Sequence, residues 1–195
     1  VPPLDQLIER GDPDFHWDRV NKRQVVRGGH IEFRPERVRV GSYRPFMKQN
    51  VYFDDRQQLN NCTYQLPTMY PTPHHNNIGI LLTGPASHYG FTPFMTDLLP
   101  NLHLLDTGQF FPRWTYEKPE SDSNTLDLDT GTGEHDQYGY RRVDNITDTI
   151  LTLYRSAIGD HVTKDAIFFY VYGLLHSPTY RQTYAADLKK MLPHI

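Results

Sequence analysis

The ten residues from Ala166 to Leu175, AIFFYVYGLL, constrain the fold of this chain more than any other feature. At helical spacing they put apolar side chains on nearly every face, and such a helix is expected to be buried all round. Its surroundings are well punctuated. Thr163 can cap its start, and His176-Ser177-Pro178 restarts a further helix, with Ser177 as cap and Pro178 at the first helical position. That last helix carries Tyr180, Tyr184 and Leu188 as an apolar stripe and Asp187 with Lys190 as an i,i+3 pair, and Pro193 ends it. Upstream, Asp144 or Asn145 can cap a helix in which Ile146, Ile150, Tyr154 and Ile158 recur every four residues, with Gly159 as the stop. A helical cluster over 144–192 is therefore predicted.

An apolar helix needs a body to pack against, and the rest of the chain supplies mostly β signals. Ile78–Leu82 is short, continuous and apolar, as a central buried strand would be. Phe91–Met95, Leu102–Leu105 and Phe110–Tyr116 are further strand candidates, and residues 31–53 read as mixed and strand-like. Leu4–Arg10 and Trp17–Gly28 are short helical candidates, and Pro67, Pro71 and Pro73 make their stretch an irregular connector. A β-containing body followed by about three helices is an α+β arrangement, expected as a single domain over 1–195 without internal repeats.

Composition fits that size. Apolar residues form 37 % of the 195, enough for a real core, and the charged share of 22 % lies far from disorder. Cys62 is the one cysteine, which excludes an internal disulfide framework and a thiolate zinc knuckle. No run approaches the roughly 18 to 20 apolar residues that span a bilayer, and no basic-then-apolar leader opens the chain. The expectation is a globular, cytoplasmic piece, excised or processed from something longer, since it starts at Val1.

Several chemistries are excluded by their missing motifs. The chain has no phosphate-binding G-x-x-x-x-G-K-[ST] loop, no G-x-G-x-x-G, no G-x-S-x-G elbow and no H-E-x-x-H helix. Asp127 and Asp129 begin a calcium-like spacing, but Tyr138 stands where the bidentate Glu belongs. His74 and His75 are adjacent and would diverge on a strand, while Glu134-His135-Asp136 lies in a polar loop. Ser87-His88 with a remote Asp lacks the usual triad geometry, so GPASHYG reads as a turn-rich loop. No catalytic residue and no metal ligand is assigned.

Charge is distributed unevenly. Between Trp17 and Lys48 nine bases face three acids, a local net of +6, although the whole chain carries −3. Residues 117–136 are the counterpart, seven acids against one base, and read as a solvated surface loop. Arginines interleaved with Trp17, Phe33, Tyr43 and Phe46 suit a face that tracks phosphates, because guanidinium forks match phosphate oxygens and planar rings pack on sugars or bases. The plainer alternative is internal pairing with the acids.

Four stretches carry a resemblance: YRPFMKQNVYFD (Tyr43–Asp54), FTPFMTDLLPNLHLLDTGQFFPRWTYE (Phe91–Glu117), NITDTILTLYR (Asn145–Arg155) and KDAIFFYVYGLLHSPTYRQTYAADLKKMLPHI (Lys164–Ile195). Together they resemble the C-terminal specificity domain of Type ISP restriction-modification enzymes, bacterial single-chain proteins often labelled helicases. The resemblance implies a parent that joins a nuclease, an ATP-driven translocase, a coupling region, an adenine methyltransferase and this target recognition module. ATP, magnesium and S-adenosylmethionine would then serve the parent, and this piece would hold no cofactor. Its partners would be double-stranded DNA and the methyltransferase and coupling domains of the same chain. A docking module with little DNA contact is the alternative.

If the module reads DNA, phosphate contacts position it and side chains reach base edges. Arg44 and Lys48 are the expected backbone clamps, with stacking of Arg44 on Tyr43 or Phe46 as the competing role. Arg34, Arg37 and Arg39 are further candidates, Arg37 and Arg39 sharing a face if their segment is a strand. His74, His75, Asn76, Asn77 and Arg113 have base-reading chemistry, against a plain solvated-loop alternative.

Overall fold

A short 3-10 turn at Pro35–Arg37 feeds β1 (Val38–Arg44), which reverses over Pro45 and Phe46 into β2 (Met47–Tyr52). The computed structural model describes residues 26–28, 33–54, 65–85, 87–101, 104–118 and 135–195. The predicted helix Leu4–Arg10, most of Trp17–Gly28, Cys62 and residues 119–134 of the acidic stretch lie outside these residues. After α1 (Leu66–Met69) come β3 (Gly79–Leu82), β4 (Pro93–Thr96), β5 (Leu99–Pro100), β6 (Gln109–Pro112), β7 (Trp114–Glu117) and β8 (Arg141–Asp144). Three helices close the chain: α2 (Asp148–Ile158), α3 (Lys164–His176) and α4 (Pro178–Thr183). The architecture is α+β, as the sequence predicts.

The strands form three small sheets, ordered β2-β1-β5, β4-β3-β6 and β7-β8. All pairings are antiparallel except the two-residue contact of β1 with β5. β3 is buried at all four residues and flanked on both sides, so its continuous apolar run marks a central strand. Because side chains alternate along a strand, Ile80 and Leu82 share a face. That face packs on Phe168 and Leu175 of α3, and the cluster joins body to helices. A second core gathers Phe53, Met69, Tyr70 and Leu99 beneath the first sheet. Ser42 Oγ and Thr96 Oγ1, 2.8 Å apart and buried, tie the first sheet to the second.

Local chemistry explains the departures from expectation. The Phe110–Tyr116 stretch splits into two strands at Arg113, whose side chain turns inward. Leu104 and Leu105 lie in a turn, and the strand falls earlier, at Leu99–Pro100. Thr147, not Asp144 or Asn145, caps α2, its side chain accepting from the N–H of Ile150. Asp144 is held by Arg113 and Lys164, and the Asn145 amide donates to the carbonyl of Pro112 at 2.7 Å, so neither is available to cap. Thr163 and Ser177 cap α3 and α4 as expected. α3 is not buried all round: Ile167, Phe168 and Leu175 face inward, but Phe169 and Tyr170 remain 50 % and 54 % exposed. No helix among the described residues is long and apolar enough to cross a membrane.

Candidate nucleic-acid interface

β2 forms one edge of the first sheet. Met47, Lys48, Gln49 and Asn50 are all exposed, so both faces of this half of β2 are open. At the tip, Arg44 pairs with Met47 across a two-residue turn made by Pro45 and Phe46. Pro45 suits the first turn position, but Phe46 occupies the second with φ 65°, a left-handed conformation that favours glycine. Its ring is 94 % exposed and meets Phe94 edge-on at 5.5 Å. The Arg44 guanidinium lies 5.0 Å over the Tyr43 ring.

Two clefts flank this tip. One, of about 610 Å³, is lined by Arg44, Pro45, Tyr89 and Asp106 among others, and one of about 330 Å³ by Phe46, Met47, Lys48 and Phe94. Tyr89, 73 % exposed, also borders a third cleft that reaches Arg181 and Lys189 beside the last helix. The loop bearing Tyr89 is pinned by Asp106. One carboxylate oxygen accepts from Ser87 Oγ at 3.0 Å and from the backbone N–H of His88 at 2.9 Å, and lies 3.2 Å from His88 Nδ1. The His88 backbone bond, with Ser87, holds this carboxyl below its ordinary value. Ser87 Oγ thus serves Asp106 and the N–H of Tyr89, and this trio anchors a loop instead of forming a proton relay. Arg44, Lys48 and Lys189 thus each border a cleft, the Arg44 and Lys189 clefts meeting at Tyr89, while Asp106 and Asp97 add a carboxylate to the Arg44 and Lys48 clefts.

The other candidates divide sharply. Arg39 is drawn inward: Nη1 donates to the carbonyl of Tyr70 at 2.8 Å, and the guanidinium lies over the Phe53 and Tyr70 rings at 5.4 and 5.5 Å. Arg34 sits 3.9 Å from the buried carboxylate of Asp54. Arg37 belongs to the 3-10 turn, so strand parity does not align it with Arg39. The basic segment consequently forms no uniform cationic face among the described residues.

His75 and Asn77 are buried scaffold. Asn77 donates to the carbonyls of Met69 and Trp114 and accepts from the N–H of Ile78. His75 Nε2 lies 2.7 Å from Asp136 Oδ2 and Nδ1 lies 2.6 Å from Thr72 Oγ1. Since a carboxylate only accepts, Nε2 carries a proton and donates it to Asp136. Tyr116 and Tyr140 wall the ring edge-on. Backbone bonds from Tyr140 and Tyr138, then His75, hold the Asp136 carboxyl low. His74 is exposed and stacks flat on Tyr138 at 4.9 Å. The exposed Asn76 offers its carbonyl to Trp114 Nε1 and the Tyr116 hydroxyl.

Arg113 is 5 % exposed, its Nε donating to Asp165 at 2.8 Å and Nη1 to Asp144. Partial burial would raise the Asp144 carboxyl, but the hydrogen bond and charge of Arg113, with Lys164, outweigh it and hold the group low. This geometry directs Arg113, Asn77, His75 and Arg39 into the fold and away from base edges. Among the described residues no group of three or more His, Cys, Asp or Glu could hold a metal. Sequence reasoning includes Phe46 only as one of the rings interleaved with the arginines, and it does not single out Tyr89 or Asp106 as site residues.

Comparison with known proteins finds one family and several similar structures. The family model described as Type ISP C-terminal specificity domain matches residues 5–195. No curated protein matches the chain. Among solved structures, the DrdV–DNA complex aligns with TM-score 0.70 at 26 % identity, over 99 % of this chain and 17 % of that one. The ATP-dependent Type ISP restriction-modification enzyme LlaBIII bound to DNA aligns with TM-score 0.67 at 26 % identity, over 94 % and 11 %. A nuclease-deletion mutant of the Type ISP enzyme LlaGI, in complex with a DNA substrate mimic, aligns with TM-score 0.63 at 27 % identity, over 92 % and 14 %. This chain spans less than a fifth of each of these structures' chains.

Proposed function

The chain belongs to the Type ISP C-terminal specificity domain family, and from that premise we propose that it is a non-catalytic module that recognises a DNA target for a longer restriction-modification enzyme. The observation that carries this reading is its alignment, over 92 % or more of its length, with segments of three enzymes whose structures contain DNA. The parent would supply the methyltransferase and coupling domains, use ATP, magnesium and S-adenosylmethionine outside this piece, and act in the bacterial cytoplasm.

Within the module, Arg44 and Lys48 contact backbone phosphates from the β1–β2 hairpin, and the loop bearing Tyr89 lies along the same duplex. Phosphate contacts give affinity without sequence information. Replacing both by alanine in the full-length polypeptide should therefore weaken binding uniformly across sequences. The slope of log affinity against log salt should flatten by about 0.9 for each phosphate that is no longer neutralised. A changed sequence preference, or no DNA binding by the unaltered enzyme at low salt, would refute the assignment.

A second role is favoured by the helices. α2 has no buried residue, with Leu153 and Ile158 63 % and 59 % exposed, and Phe169 and Tyr170 continue the apolar surface on α3. We assign this face to docking against another domain of the parent.

A further inference from the structure

We propose that Phe46 is a wedge that inserts between bases of the target duplex, a step the family assignment does not specify and that rests on the DNA-recognition reading above. Three independent features of the hairpin tip converge on it. The ring is 94 % exposed, so the fold gains almost nothing from its burial. Its backbone sits at φ 65°, where a bulky residue is strained and glycine or asparagine would be relaxed. Strain retained at a residue that contributes little to the core is the pattern of a functional position. Finally, Arg44 and Lys48 flank the ring along the hairpin: Phe46 and Lys48 border the cleft of about 330 Å³, and Arg44 with Pro45 borders the one of about 610 Å³.

These features select the ligand. An apolar protein groove would accept Phe46 and Met47 but would have to desolvate the two flanking cations. A duplex offers an apolar slot, the gap between stacked bases, bordered on both sides by phosphates. Aromatic and aliphatic side chains inserted in that way unstack a single base step and kink the helix. The edge contact with Phe94, at 5.5 Å, braces one side of the ring and leaves its outer rim to enter the stack.

The test uses the full-length polypeptide and a duplex bearing the site mapped from its own methylation pattern, with 2-aminopurine replacing each adenine in and beside that site in turn. Apart from the adenine that the methyltransferase flips, binding should brighten the probe at one further step. Phe46→Ala should abolish that signal and weaken binding roughly ten- to hundred-fold, the range of a missing base–aromatic stack, while leaving the salt slope unchanged. Phe46→Trp should preserve both. Phe46→Gly should lose binding equally without lowering the melting temperature, because glycine relieves the left-handed strain. If the unaltered enzyme shows no specific binding, the recognition reading itself fails. If it binds and Phe46→Ala binds equally well without probe change, the wedge alone is wrong. A lower melting temperature for Phe46→Gly with intact DNA affinity would identify the ring as a structural or interdomain contact and overturn the proposal.

Discussion

Replacing Arg113 by alanine separates a scaffold role from base reading. Its guanidinium is 5 % exposed and spans from β8 to the first turn of α3, bonding Asp144 and Asp165, while the Trp114 ring lies 5.5 Å away. Truncation removes two buried methylenes, worth about 0.8 kcal/mol each. A hydrogen bond to a charged group contributes about 1.5–3 kcal/mol when both partners are dry. Here the carboxylates are 42 % and 67 % exposed and regain water, so each bond is worth nearer the ~0.5–1 kcal/mol of a screened pair. The sum is a loss of about 2–4 kcal/mol. For a domain of this length that corresponds to a fall in melting temperature of about 5 to 15 °C. Asp165→Asn, which leaves the guanidinium paired with Asp144, should cost about 1 kcal/mol or less. Circular dichroism melts measure both. Preserved thermal stability in Arg113→Ala, together with relaxed discrimination at one base pair, would refute this reasoning and restore Arg113 as a reader of DNA.

Two further outcomes are expected. A Cβ on Gly79 would lie 2.1 Å from Cζ of Phe110, so Gly79→Ala should destabilise by about 1–3 kcal/mol through overpacking, and Phe110→Leu should recover some of that loss in denaturant titrations. The carboxyls of Asp106, Asp136 and Asp144 are all held below their ordinary value in the folded chain. The unfolded chain, with carboxyls near pKa ~3.9, therefore takes up protons first. Their contribution is complete above that value and disappears as pH falls below about 4. Melting temperature should drop across that range, and Asp144→Asn should flatten some of the drop; an unchanged profile would contradict the ion pair.

Helix caps and the central strand were legible in the sequence because their determinants are local. Thr163 and Ser177 bond backbone N–H groups three residues ahead, and the run ending at Leu82 is apolar throughout. The cap of α2 was harder, since Asp144, Asn145, Thr147 and Asp148 surround Ile146 and all have capping side chains. The decision rests with Arg113, 31 residues before the Asp144 that it captures. The exposure of Phe169 and Tyr170 was equally hidden, because apolarity describes what a face prefers to touch and not whether this chain provides the contact.

The basic segment exposes the deeper limit. Arg39 and Lys48 contribute equally to its net charge, yet one is sandwiched between Phe53 and Tyr70 while the other stands on an open strand edge. Nothing in their immediate neighbourhoods along the chain distinguishes them; the partner that captures Arg39 is the carbonyl of Tyr70, brought near by folding. Charge counting measures how much phosphate-binding capacity a segment contains, but the rings and carbonyls it folds against determine how much remains directed outward. Phe46 is the converse case. Pro45 is compatible with type I and type II turns alike, so it is the folded hairpin that sets Phe46 at φ 65° and leaves its ring exposed. Composition assigned both residues to the same basic, aromatic segment, and only folding separated a cation drawn inward at Arg39 from a ring left facing solvent at Phe46.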